Sequence, residues 1–342
     1  MKKIIYSKSS KFYIDSKLDF FINNEKHLKK SLKLNSLYSI QPSRVYCKLC
    51  SAKLSNQVDF ESHGIGYKFC KNCNHLNGIY EDTKEFIENL YTSDAGESYS
   101  LNYIDESFIK RSNDIYLPKV DFLLFNLPNQ HYNLLDVGCG AGNFVHAAIS
   151  KGLNAQGIDV GKTLIDYGNL NISLIMGTKP LKFVQEEDFI NDIINTKAEI
   201  ISAIGVIEHL REPHKFFEAF RQSDTKYLLY SVPMVSFSVI LENIFENVYP
   251  RQLSGAHTHL FTEESLLKMN ELLNVSVIAE WRFGTDVIDL YRHIITCLKE
   301  NKSSKIMLDQ FESKFKGIID DIQEVFDKNE FFSEIHVLVK KQ

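Results

Sequence analysis

Asn133-Leu134-Leu135-Asp136-Val137-Gly138-Cys139-Gly140-Ala141-Gly142 is the stretch whose reading decides the fold. Its first five residues form a short apolar run interrupted by one carboxylate, which suits a buried parallel strand. Glycine at 138, 140 and 142 lets the backbone turn tightly and approach a ligand with no Cβ in the way. Phe144-Val-His-Ala-Ala-Ile then opens a helix, whose N-terminus offers unpaired N–H groups and a positive dipole end. A dinucleotide fingerprint would require glycine at position 143, where this chain has Asn143. The spacing is instead Asp-x-Gly-x-Gly-x-Gly. A second carboxylate, Asp159, closes the next strand in Ala155-Gln-Gly-Ile-Asp159, from where it can accept from both hydroxyls of a ribose.

Outward from this loop the chain alternates strand and helix. Strands are expected at 133–137, 155–159, 172–176, 198–204, 227–232, 275–282 and 334–339. Helices are expected at 144–150, 213–222 and 263–273, the last with Thr262 as N-cap and Glu263 and Glu264 in its first turn. Two more, at about 286–300 and 307–328, fall between the last two strands. In the second, Leu308, Phe311, Phe315, Ile318, Ile319, Ile322 and Phe326 recur at helical spacing and make one apolar stripe for core packing. Strands alternating with helices give an α/β parallel sheet covered on both faces.

Asp136, the glycines and Asp159 resemble the class I S-adenosylmethionine-dependent methyltransferases, over roughly residues 105–342. Gly205-Val-Ile-Glu-His-Leu210 is similar to the family's motif after the fourth strand, Glu212-Pro213 opens a helix as in that pattern, and Tyr227-Leu-Leu-Tyr-Ser-Val-Pro233 is similar to its fifth strand. The resemblance implies a Rossmann-like sheet of seven strands with the last antiparallel, and S-adenosylmethionine as cofactor. It further implies that Asp136, Gly138, Gly140 and Gly142 hold the methionine portion and Asp159 the ribose. The helices between the last two strands are an insertion relative to the minimal family fold.

Ahead of this domain, Cys47-Lys-Leu-Cys50 is followed after nineteen residues by Cys70-Lys-Asn-Cys73. Each C-x2-C pair forms a knuckle that presents two sulfurs to one ion, and four thiolates close the shell of a structural zinc. A segment with so few apolar residues needs a metal to fold. Six cysteines, four of them in this motif, suit reduced thiols better than a disulfide framework and point to the cytoplasm. The opening Met1-Lys-Lys-Ile-Ile-Tyr has no apolar run of signal-peptide length, and no membrane span is expected. Hydrophobic content of 44% and a length of 342 residues allow a large core plus one small module. A formal net charge of −5 speaks against broad phosphate-backbone binding, so nucleic acid is not the expected partner. The expected division is a loose N-terminal extension with a short helix at 1–44, a zinc module at 45–80, a helical linker or cap at 81–130, and the methyltransferase domain at 131–342 with its helical insertion at 284–330.

A zinc module before such a domain is similar to two arrangements: sugar C-methyltransferases acting on nucleotide-linked deoxysugars, and ribosomal RNA guanine methyltransferases with a zinc knot. The first fits more residues: Cys73-Asn-His-Leu-Asn-Gly-Ile-Tyr80, Leu90-Tyr91, His209, and His257-Thr258-His259, where Thr258 stands in place of that family's Glu. A hydroxyl or carbon acid that is to be methylated needs a base, and His209, His257 and His259 all follow carboxyl ends of strands. Glu208 is expected either to orient His209 or to touch the cofactor. Tyr91, Tyr99 and Tyr103 are candidates for the substrate pocket or for packing, and Arg111 for the methionine carboxylate. The expected activity is methylation of a small polar metabolite, a nucleotide-linked sugar or glycan precursor. RNA base methylation guided by the zinc module, or a non-catalytic cofactor-binding scaffold, are the alternatives.

Overall fold

The strand Lys3–Tyr6 (β1) lies beside a strand some 270 residues further on, and this long-range pairing frames the architecture. The computed structural model describes residues 2–10, 14, 23–92, 107–253, 257–301 and 304–342, with the side chains at 88, 89, 91 and 92 excepted. Tyr99, Tyr103 and the Tyr91 side chain therefore lie outside the described residues. After β1 come β2 (Phe60–Ser62), β3 (Ile65–Phe69), β4 (Leu76–Gly78), β5 (Asn133–Val137), β6 (Asn154–Asp159), β7 (Leu181–Phe183), β8 (Ile200–Ile204), β9 (Tyr227–Pro233), β10 (His259–Leu260), β11 (Val275–Phe283) and β12 (Glu334–Lys341).

The large sheet has the order β1-β11-β12-β9-β8-β5-β6-β7. Strands β5 to β9 run parallel, and β12 is antiparallel to both β9 and β11. The doubly wound α/β arrangement and the antiparallel last strand are as expected, but the sheet holds eight strands among the described residues rather than seven. The extra one is β1, in a segment expected to be loose. Lys2 pairs with Glu280 at 2.7 Å and Trp281 Nε1 donates to the Ser7 carbonyl at 2.9 Å, so side chains at both ends of the strand hold it in register.

Residues 172–176, expected as a strand, instead end the helix Lys162–Met176. Ile172 is fully buried whereas Leu174 is 78% exposed, the pattern of a helix with one inner face. Gly177 caps that helix in the left-handed region at φ 72°, and the strand follows as β7. The stretch 307–328 is likewise two helices, Lys305–Phe315 and Ile319–Lys328, separated by a single 3-10 turn at Lys316–Ile318 that contains Gly317. Its stripe still packs as core: Leu308, Phe311, Phe315, Ile322 and Phe326 lie against Val287, Ile288, Tyr291 and Ile295 of the helix Asp286–Glu300. Ile318 is the exception, at 45% exposed. The helix Glu263–Leu273 begins where expected, with Thr262 and Ser265 exchanging side-chain and backbone hydrogen bonds as a capping box.

Alternation along each strand sends its side chains to opposite faces. Leu134, Ile200, Leu229 and Leu338 face Val120, Leu123, Phe144 and Ile165 on one side. Leu135, Ile201, Leu228, Tyr230 and Val337 face Phe216, Phe220, Phe261 and Met269 on the other, in a core that also takes in Leu49, Leu54 and the cysteines. The small sheet, β10-β4-β3-β2, joins the two parts: β10 comes from the large domain and pairs antiparallel with β4 of the cysteine segment.

Candidate active site and metal centre

The strands β5, β6, β8 and β9 all end on one edge of the sheet, and β12 starts there, with Glu334 opposite Pro233. Ligand sites of open α/β sheets lie at this edge. The loop after β5 is held by its glycines. Gly138 has φ 68°, and a Cβ there would sit 2.7 Å from Val206. At Gly140, φ 53°, a Cβ would meet nothing within 4 Å, so this side of the loop faces open space. Gly142 caps the helix Asn143–Ser150 in the left-handed region at φ 73°.

Asp159 braces this loop from the end of β6. Its Oδ2 accepts from the Gly140 N–H at 2.8 Å and its Oδ1 from the Gly161 N–H at 2.7 Å. Each oxygen keeps a lone pair for a further donor. Burial nevertheless raises its pKa, against the pull of those N–H groups. Asp136 is 3% exposed and accepts from Ser202 Oγ at 2.7 Å. Burial pushes it up to about 7. Glu208, on the 3-10 turn Ile207–His209, is pushed by burial to about 8. Its Oε2 is buried without a hydrogen-bond partner.

The four cysteines of the paired motif bring their sulfurs within 4.8 Å of one another. Cys47 and Cys73 Sγ are 3.7 Å apart, and Cys50 and Cys70 Sγ 3.6 Å. Tetrahedral zinc with Zn–S bonds near 2.3 Å sets its sulfurs about 3.8 Å apart. Asn77 Nδ2 donates to Cys47 Sγ at 3.6 Å and Asn72 Nδ2 to Cys50 Sγ at 3.5 Å, as thiolate ligands require of their surroundings. The donor set and its spacing fit the ion.

The three expected histidines are brought together. The rings of His209 and His257 have centroids 5.3 Å apart. His257 Nδ1–H donates to the Gln252 carbonyl at 3.1 Å, which leaves Nε2 with the lone pair. Burial lowers its pKa to about 4. His259, on β10, is 1% exposed and lies 2.8 Å from His75. Its pKa is held well below the usual histidine range by burial, then by the charges of Lys48, His75, Arg44 and His209.

The sequence profile of the methyltransferase-domain family matches residues 109–280, half of the chain. The chain belongs to this family. A stretch of 119 residues is 31% identical to a tRNA/tmRNA (uracil-C(5))-methyltransferase of Sulfurimonas denitrificans, covering 34% of this chain and 30% of that relative's length. Among solved structures, magnesium protoporphyrin IX methyltransferase from Synechocystis with bound S-adenosylhomocysteine is 11% identical, with a TM-score of 0.49 over 76% of this chain and all of the other. An S-adenosylmethionine-dependent methyltransferase from Archaeoglobus fulgidus is 16% identical, with a TM-score of 0.42 over 70% of this chain and 99% of the other.

S-adenosylmethionine, the cofactor expected from the sequence, would when bound supply an electrophilic methyl group on a sulfonium sulfur. The open side of Gly140, the remaining lone pairs of Asp159 and the unpartnered Glu208 Oε2 fit a ligand of that kind. The structure also places near this edge residues that carry no signal in the sequence. Lys119, 6% exposed on the helix Leu117–Phe125, has its ammonium 3.7 Å from Glu334 Oε1. Burial opposes ionisation of Glu334, but Lys119 and a 2.8 Å hydrogen bond from His336 hold its carboxyl well below the usual range. Arg111 is half-buried and contributes to the field at Lys119. Glu242 accepts the successive backbone N–H groups of Arg251, Gln252 and Leu253 at 2.6, 2.8 and 2.7 Å, and so shapes the turn from which the Gln252 carbonyl reaches His257. Among the described residues no helix is long and apolar enough to cross a membrane.

Proposed function

We propose that this enzyme methylates a small polar metabolite, a nucleotide-linked sugar or surface-glycan precursor, with a histidine taking the acceptor's proton. In this reading Asp136, Gly138, Gly140, Gly142 and Glu208 line the methionine portion of the cofactor and Asp159 accepts from the ribose hydroxyls. A zinc ion held by Cys47, Cys50, Cys70 and Cys73 supports the fold without taking part in the chemistry, because four thiolates leave it no open position.

The observation that carries the reading is the histidine group at the carboxyl edge of the sheet beneath the cysteine segment, with His209 and His257 half-buried and His259 fully buried. Neutral imidazoles suit a proton taken from a hydroxyl or an acidic carbon. His257 is the first candidate, since its Nε2 lone pair faces away from the carbonyl that fixes its tautomer.

RNA methylation is the second reading, supported by the tRNA/tmRNA-methylating relative. It requires a basic face that joins the cysteine segment to the cleft. Against it, Arg44 and Lys48 of that segment are buried and both paired with Asp82.

The test is methyl transfer from S-adenosylmethionine, followed by mass spectrometry, with a panel of nucleotide-linked sugars in parallel with unmodified tRNA. Transfer to a sugar supports the proposal. Transfer to tRNA alone overturns it in favour of the second reading.

A further inference from the structure

His75 lies two residues beyond the last cysteine, and its backbone belongs to the knuckle. Its carbonyl accepts the Cys70 N–H at 2.9 Å and Asn77 Nδ2 at 2.8 Å, and that same Asn77 amide donates to Cys47 Sγ. Its ring points the other way, into the large domain, where Nε2 meets His259 Nδ1 at 2.8 Å. Both rings are buried, at 0% and 1% exposed, and rest on Phe261, with centroids 4.7 and 5.6 Å from it.

The backbone around this contact is clamped. β4 and β10 pair through Asn77 with His259 and Leu76 with Leu260. The Gly78 N–H donates to the Thr258 carbonyl at 2.8 Å, so tightly that a Cβ on Gly78 would meet that oxygen at 3.1 Å. Thr262 Oγ1 donates to the Asn74 carbonyl at 3.2 Å on the far side. The pairing fixes the backbone from which both rings project. The other nitrogens, His75 Nδ1 and His259 Nε2, are buried and have no hydrogen-bond partner.

We propose that His75 is a positioning residue for the methyl-acceptor site: it accepts the Nδ1 proton of His259 and thereby leaves His259 Nε2 as a lone pair directed at the acceptor. A ring nitrogen's tautomer is set by the hydrogen bond its partner nitrogen makes. The cysteine knuckle thus does more than fold its own segment. Through the His75 backbone it sets the orientation and proton arrangement of a ring in the neighbouring domain, so metal occupancy and acceptor activation are linked. This inference rests on the proposed histidine base as far as function goes, but the contact itself can be tested without turnover.

The experiment is long-range 15N–1H correlation on the metal-loaded full chain labelled at histidine, with the His259 signals assigned by their loss in His259→Ala. The expected result is a single His259 tautomer with Nδ1 protonated and Nε2 bare. It should become a mixture in His75→Leu, at unchanged zinc content, and persist in His75→Gln, whose amide oxygen can accept in place of Nε2. Removing the metal with a chelator should mix the tautomers, and adding zinc back should restore one. A protonated His259 Nε2 in the native protein, or a single Nδ1–H tautomer retained in His75→Leu, would overturn the proposal. Should His259→Ala keep full methyl transfer while the tautomer shifts occur as expected, the assignment of His259 to the chemistry fails and the inter-domain coupling stands. If His259→Ala loses transfer about 100-fold, His75→Leu should lose about 10–100-fold with the Michaelis constant for S-adenosylmethionine unchanged, as for other groups that orient a functional histidine.

Discussion

Asp159 and Gly140 are joined by a 2.8 Å hydrogen bond, in which a carboxylate oxygen at the end of β6 accepts the backbone N–H at the middle of the glycine loop. One side chain therefore shapes the loop and faces the place where a ribose is proposed to lie. Asp159→Ala should weaken binding of S-adenosylhomocysteine by about 1–3 kcal/mol, the cost of losing an acceptor for charged-group hydrogen bonds. Titration calorimetry measures this directly. Unchanged affinity would remove Asp159 from the cofactor site.

The sulfur spacing leads to a second expectation. Purified protein should carry about one zinc per chain, and Cys47→Ser or Cys70→Ser should lose it together with the order of residues 45–80, because binding free energy at such sites is folding free energy. Elemental analysis alongside thermal melting checks both. Iron in place of zinc, or full stability in the serine variants without metal, would be inconsistent with a structural zinc site.

His257 titrates at about 4 in the folded chain, against 6.5 in its ordinary state. A base with that pKa is already neutral at pH 7, so turnover through it should be flat across neutral pH and decline only as the pH approaches 4. In the unfolded chain the same ring takes up its proton near 6.5, so stability contributed at this position falls as pH drops from 6.5 to 4. His257→Ala should cost roughly 10²–10⁴ in turnover if it is the base. A His257→Ala variant with near-normal turnover would turn attention to His259, and to His209 if the His259→Ala variant also keeps its turnover.

Glu208 behaves in the opposite sense. Burial raises its pKa from 4.5 to about 8, so between those values the folded chain holds a proton that the unfolded chain has released. Its contribution to stability is fully present below pH 4.5 and is lost as the pH rises through 8. In the cofactor-free protein, Glu208→Gln should flatten the fall in melting temperature between pH 5 and 8. An identical pH profile in the variant would show that this carboxyl is ionised at neutral pH.

Much of this was legible from local chemistry. The glycine loop, the helix that starts at Thr262 and the cysteine pairs each depend on residues within a few positions of one another. The errors have equally definite causes. Residues 172–176 are a short apolar run, for which periodicity cannot separate strand from buried helix, and the decisive glycine stands just beyond it. β1 is recognisable only through its partner β11, and β10 is two residues long. The His75–His259 contact and the Lys119–Glu334 pair join residues roughly two hundred positions apart, so the folded sheet alone reveals them.

β1 also has a consequence for how the chain is made. Ile4 pairs with Glu280 and Ile5 with Trp281, so β1 is synthesised well before the strand that it pairs with. Until β11 is made that strand has no partner, and β11 itself joins the parallel strands only through β12, which is made later still. Pairing of such high contact order is slow. A bulky fusion beside β1 should therefore delay pairing of this edge strand while leaving the other seven strands of the sheet to form.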